Sequence, residues 1–109
     1  MLFAVWALDA AGMLDTRLAV REAHRRRLRE PSPHAVTVLL AGPLLDAAGA
    51  SMAGTLLVVD ADDLQGVSAF VQDDPYVQAG VYARVEIRPW RCGLGPFAPA
   101  PHAEAGIQR

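Results

Sequence analysis

Lysine is missing from this chain: all ten of its basic residues are arginine. That bias carries no functional weight by itself. Against twelve acidic residues it leaves a formal net charge of -2, so nothing global directs the chain to nucleic acid or to an anionic membrane surface. Cysteine occurs once, at Cys92, which excludes an intramolecular disulfide and a cysteine-held metal and makes a reducing cytoplasm the expected compartment. No apolar run approaches the ~20 residues of a membrane span. The first run, Leu2 to Leu8, has no basic residue ahead of it and reads as a strand, not as a signal peptide. The G-x-x-x-x-G-K and G-x-G-x-x-G patterns that cradle phosphates are absent, so no nucleotide cofactor is expected. His34 lies in a proline-rich loop and His102 near the end of the chain, and no His-x-x-x-His spacing occurs, so no metal site is expected either.

What is present suffices for one core, since 52% of the 109 residues are hydrophobic. Leu2 to Leu8 is apolar on both alternating faces, as a strand covered on two sides should be. A helix is predicted from Leu14 to about Glu30, ended by Pro31 and Pro33, with Asp15 suited to its first turn and Arg25, Arg26, Arg27 and Arg29 to its last. Val36 to Ala41 reads as a second strand closing in a turn at Gly42-Pro43, followed by hairpin-loop residues Asp46 to Gly49. Gly54 to Asp60 reads as a third, doubly covered strand. Asp62 is the expected cap of a second helix carrying Leu64, Val67, Phe70 and Val71 at helical spacing and stopping near Asp73. Asp74-Pro75 is a cap followed by proline at the first helical position, opening a short turn toward Gly80. Ala83 to Arg88 alternates, Val85 and Ile87 inward and three charges outward, as an edge strand does, with Pro89 ending or disturbing it. Residues 1–92 thus form the expected domain and residues 93–109, rich in Pro, Gly and Ala, a tail of low order.

The order strand, helix, strand, strand, helix, strand is that of an α+β, ferredoxin-like βαββαβ sandwich, with two helices on one face of a four-stranded antiparallel sheet. In that topology the first and third strands are central. Both are apolar on either face, so the sheet face without helices would expose a larger patch than a monomer tolerates. The simplest cover is a second copy packed face to face, giving a homodimer through the sheet face and a dimeric α/β barrel. A tail folded back over the sheet is the alternative, but its sizeable apolar anchors are only Leu94, Phe97 and Ile107.

At about 100° per residue, Arg17, Arg21 and His24 fall within an arc of roughly 60° that overlaps the stripe of Leu14 and Leu28. Basic groups turned toward a sheet need a partner or a cavity. One reading makes Arg17 and Arg21 an anion-attracting wall beside His24, the side chain suited to moving protons near neutral pH. The other makes them snorkelling arginines beside a structural histidine. Asp74 has a similar choice between orienting a histidine and simply capping its turn, and Tyr76 between offering a hydroxyl to a ligand and filling the core. The Arg25-Arg26-Arg27 run reads as a solvated helix face.

The run Arg17-x-x-x-Arg21-x-x-His24, the Ala41-Gly42-Pro43 and Gly54-Thr55 segments, and Asp73-Asp74-Pro75-Tyr76-x-x-Ala79-Gly80-Val81 leading into Val85-Glu86-Ile87-Arg88-Pro89-Trp90 resemble the YciI-like family in order and spacing. The likeness extends over residues 1 to about 92. It implies a dimeric α/β barrel similar to muconolactone isomerase, with an active site formed by the family's helix histidine and the aspartate of its Asp-Pro-Tyr/Phe motif, here His24 and Asp74. It also implies cofactor-independent proton transfer or elimination on small cyclic or aromatic compounds. Arg25 departs from the family, in which an apolar residue often follows the histidine.

Two functions follow. In the first, His24 oriented by Asp74 is the catalytic base of an isomerase or lyase, and Arg17, Arg21 and Tyr76 bind a small substrate, anionic or oxygenated. In the second, the same pocket holds a metabolite without turning it over and the dimer serves as an accessory protein. A haem-binding role for His24 suits its arginine-rich surroundings less well.

Overall fold

Four strands and three helices are built in the order β1 (Leu2–Asp9), α1 (Leu14–Arg29), β2 (Thr37–Leu45), β3 (Met52–Asp60), α2 (Leu64–Gln72), α3 (Pro75–Gln78) and β4 (Tyr82–Trp90) in the computed structural model, which describes residues 1–99. All strand pairings are antiparallel and the sheet order is β2-β3-β1-β4, so the two apolar strands are indeed central. This is the expected α+β arrangement.

Residue parity along β1 decides which face is covered. Phe3 and Val5 lie opposite Val59 and Leu57 and pack with Val67, Phe70 and Val71 of α2 into the core. The even-numbered residues face the other way. There Trp6, Leu8 and Leu56 remain 55%, 39% and 44% exposed, and Trp90, opposite Leu2, is exposed beside them. On the side of the sheet away from the helices the central strands are therefore apolar, and β4 sets the expected outward charges Arg84, Glu86 and Arg88 opposite Leu8, Trp6 and Ala4.

Three boundaries differ from expectation. Gly42-Pro43 does not end the second strand; β2 runs on to Leu45, and the chain reverses at Asp46, whose carboxylate accepts a hydrogen bond from the Ala50 N–H, with Gly49 at a φ of 72°. A proline signals a turn only where its missing N–H would be needed, and β2 is an edge strand with one side unpaired. The same reason lets β4, the other edge, continue through Pro89 to Trp90. The cap of α2 is Asp63 and not Asp62: the Asp63 side chain accepts from the Gly66 N–H at 2.8 Å. Asp74 caps α3 as expected, accepting from the Tyr76 N–H, with Pro75 at the first helical position.

Past β4, Cys92 is buried, Leu94 is 97% exposed, and residues 93–99 form neither helix nor strand. The rest of the expected tail, with His102 and Ile107, lies outside the described residues. Among the described residues, no helix is long and apolar enough to cross a membrane.

Gly54 fixes the spacing of the central strands. A Cβ there would lie 2.3 Å from the Ala7 carbonyl oxygen and 3.1 Å from Leu44 Cδ1, a backbone collision that no rotamer relieves. Gly54→Ala is expected to cost about 2–3 kcal/mol in urea unfolding; a midpoint unchanged from wild type would show that the two strands are free to separate.

Candidate active site

The polar site begins where β1 ends. Asp9 continues the helix-facing series of Phe3, Val5 and Ala7, and a register shift after Leu8 sets it opposite Tyr82. Thr55 lies opposite Ala7 on the same face. One helical face above, Arg17 donates from Nε to Asp9 Oδ2 at 2.8 Å and from Nη2 to Asp9 Oδ1 at 3.1 Å, a two-pronged pair, and Nη2 also donates to Thr55 Oγ1 at 2.7 Å. Tyr82 donates to the same Thr55 oxygen at 2.8 Å. Arg17 is 2% exposed. Burial opposes its charge, but the hydrogen bond and charge of Asp9 prevail and hold its pKa above the ordinary value.

Tyr76, on α3, is the second layer. Arg17 lies over its ring with the guanidinium carbon 4.3 Å from the centroid, and the His24 ring stacks on it at 3.9 Å. Arg17 and His24 are two turns of α1 apart, about 10 Å along the axis, so the tyrosine ring occupies the space between them.

The stack delivers His24 to Asp74. Nδ1 lies 2.9 and 2.8 Å from the two carboxylate oxygens, and both residues are buried, at 5% and 3% exposure. The Asp74 carboxylate also accepts the Tyr76 N–H at 2.8 Å, so the group that caps α3 orients the imidazole at the same time. An acceptor on Nδ1 fixes the proton there and leaves the Nε2 lone pair free. No protein group among the described residues hydrogen bonds Nε2, and His24 lines a cleft of about 680 Å³.

That cleft runs between α1 and β2. Its α1 wall carries Arg17, Arg21 and His24, Tyr76 reaches it from α3, and Val36, Val38, Ala41 and Pro43 form much of the opposite, apolar wall. Every side chain that the sequence nominated thus belongs to one site. Asp74 lies behind His24, outside the cleft lining.

Four participants were not singled out. Asp9 and Tyr82 sit at strand ends and Thr55 inside β3, all far apart in sequence; the available clue was that an arginine turned inward requires an acid. Arg27 is the fourth, and here the structure corrects the reading of Arg25 to Arg27 as a uniformly solvated face. Its guanidinium lies over Phe70 at 4.3 Å, donates to the Phe70 carbonyl at 2.6 Å and stands 3.8 Å from Asp74 Oδ2. It follows His24 by three residues, so it shares that side of α1. The neighbouring acid Asp73 pairs with His34 at 2.8 Å. Among the described residues no three His, Cys, Asp or Glu side chains cluster as metal ligands would.

The profile of the YCII-related domain matches residues 1–91. The chain belongs to this family. Protein YciI of Escherichia coli is 34% identical to it over 96 residues, 84% of this chain and 97% of that protein. An uncharacterised protein of Haemophilus influenzae is 35% identical over the same shares. Among solved structures, 5-chloro-2-hydroxyhydroquinone dehydrochlorinase (TftG) of Burkholderia phenoliruptrix, in complex with 2,5-dihydroxybenzoquinone, matches this YCII-related chain with a TM-score of 0.74 at 28% identity, over 84% of this chain and 94% of that one. Protein Atu4242 of Agrobacterium tumefaciens shares the fold alone, with a TM-score of 0.52 at 11% identity, over 89% and 99% of the two chains.

Both tyrosines of this YCII-related chain have pKa values raised above the ordinary 10.0. Burial is the main cause in each; at Tyr76 the charges of Arg17 and Arg21 pull the other way, and at Tyr82 the Thr55 hydrogen bond does. A phenol that holds its proton more tightly folded than unfolded contributes stability in full below about pH 10, and loses that contribution as pH climbs through the folded value. Alkaline titration should therefore show phenolate absorbance rising late and together with loss of circular dichroism. Ordinary titration of both tyrosines in an intact fold would contradict the burial described.

Proposed function

We propose that this protein is a cofactor-independent enzyme in which His24 and Asp74 carry out proton transfer or elimination on a small, oxygenated cyclic substrate. The observation that carries this reading is the clasp of His24 Nδ1 by both oxygens of Asp74, which leaves Nε2 as the basic atom on the wall of a cleft of about 680 Å³. That volume is in the range of small-molecule sites.

Nε2 takes a proton from a carbon, or from a ring hydroxyl, of the bound compound. The imidazolium that forms is stabilised by the carboxylate already on Nδ1. The electron pair released moves into the ring. Either it is reprotonated at a different carbon by the same imidazolium, which is isomerisation, or it expels an anion such as chloride from the adjoining carbon, which is elimination. Proton and anion account for everything lost, and no electrons leave the substrate. Arg21 supplies positive charge beside the developing anion. Arg17, engaged by Asp9 and Thr55, adds its field and holds the Tyr76 ring that forms part of the floor. The likeness to a dehydrochlorinase at 28% identity, bound to a quinone, supports both the substrate class and the elimination branch.

The functional unit of this proposal is a homodimer joined through the sheet face that the helices leave bare. The exposure of Trp6, Leu8, Leu56 and Trp90 on one surface supports it.

With chlorinated hydroquinones as substrates and chloride release as the readout, His24→Gln and Asp74→Asn should each lower turnover at least about a hundredfold while far-ultraviolet circular dichroism is unchanged. Full activity in the purified His24→Gln protein would remove the enzyme reading. Trp6→Glu puts a charge at the centre of the bare face and should convert a dimer into a monomer in light scattering; a wild-type chain that scatters as a monomer at the same concentration would overturn the assembly.

A further inference from the structure

The α1 wall of the cleft carries more charge than the chemistry at His24 uses. Arg17, Arg21, Arg25 and Arg29 all line it, and no aspartate or glutamate does. They follow one another at intervals of four, a row that slants around the helix. Burial follows the slant: Arg17 is buried, Arg21 half-buried, and Arg25 and Arg29 exposed. The row therefore climbs from the floor of the cleft to its rim, with His24 level with its middle and Arg29 about 7 Å beyond it along the axis.

Their partners differ as much as their depth. Arg17 is neutralised by Asp9. Arg25 has only Glu22, at 3.3 Å, and the Glu22 side chain is 78% exposed, so water screens most of that attraction. Arg21 and Arg29 make no salt bridge among the described residues. Like charges four apart on a helix repel and destabilise it, so an unneutralised row of this kind is a cost to folding that an incoming anion would relieve. Arg21 and Arg29 are about 12 Å apart along the axis, farther than one six-membered ring extends. Facing them, Val36, Val38, Ala41 and Pro43 present apolar surface with little to bind a second polar group. One cationic wall and one greasy wall suit a flat ring that carries its anionic group at a distance, on a short chain.

We propose that Arg25 and Arg29 form a recognition site for a carboxylate remote from the reacting ring, so that the substrate of this chain is a cyclic compound bearing a short carboxylate side chain. Planar guanidinium groups with paired N–H donors match a carboxylate. This rests on the assignment of His24 as the base that faces the ring, and it narrows the substrate class: a quinone or hydroquinone without a side chain would leave the upper half of the row unused.

The test is calorimetric binding of four probes to the full-length protein: hydroquinone, its ring-attached carboxylic acid, and its derivatives with an acetic or propionic acid side chain. The side-chain acids are expected to bind about tenfold or more tighter than hydroquinone, an advantage of the size that charge-assisted hydrogen bonds give and one that shrinks as salt is raised. Arg25→Gln with Arg29→Gln should remove the advantage and leave hydroquinone binding as it was. Arg26→Gln, on an exposed residue of the same helix that does not line the cleft, alters net charge without touching the row and should keep it. Equal affinity for neutral and side-chain probes, or an advantage that survives the double substitution, overturns the carboxylate site but leaves the His24 assignment standing. If Arg26→Gln erases the advantage as fully as the double substitution, the effect is one of overall charge and the site is equally refuted. Failure of all four probes to bind counts against both proposals.

Discussion

An aromatic ring wedged between two turns of a helix holds this molecule's buried polar cluster in place. Tyr76 touches Arg17 on one side and His24 on the other, and it stands two residues after the aspartate that receives the imidazole. Fifty positions separate His24 and Asp74 in sequence. What brings them together is not the pair itself, a polar contact that must offset the cost of burying both partners, but the stacked ring between α1 and α3. The ring's place is set in turn by Arg17, which Asp9 anchors to the end of β1 and Thr55 to β3. The order of dependence runs from sheet register, through a buried ion pair and a ring stack, to a nitrogen lone pair in a cleft.

This explains why a few residues each serve several purposes. Asp74 caps α3 and orients His24 with the same carboxylate. Gly54 lets β3 approach β1 and so sets Thr55, its neighbour, under the Arg17 guanidinium. Arg27 extends the arrangement outward by covering Phe70 of the core while standing behind Asp74. Core packing and site geometry are coupled closely enough that most substitutions here would disturb both.

The sequence was most legible where one physical signal dominated. Runs apolar on both faces marked β1 and β3 as central, and the 60° arc of Arg17, Arg21 and His24 located the face of α1 that lines the cleft. Asp74-Pro75 announced its turn through local chemistry alone. The misreadings share a different cause. Gly42-Pro43 and Pro89 look like punctuation, but their meaning depends on whether a neighbour strand needs the missing donor, which is a fact of sheet order. Asp9 and Tyr82 were invisible because each is an ordinary residue at a strand end, and Thr55 stood out only beside Gly54, with no role attached; only the register that sets the three on one face makes them a cluster. Arg27 was hidden by its charged neighbours, although its spacing from His24 was available to read.

Pro43 and Pro89, first met as misleading signals, sit on opposite outer strands. Each removes one backbone donor from an edge where a further strand would otherwise dock. A sheet blunted along both rims is turned away from endless lateral growth. In a chain with two strands apolar on both faces, the two prolines place the missing donors where an added strand would need them.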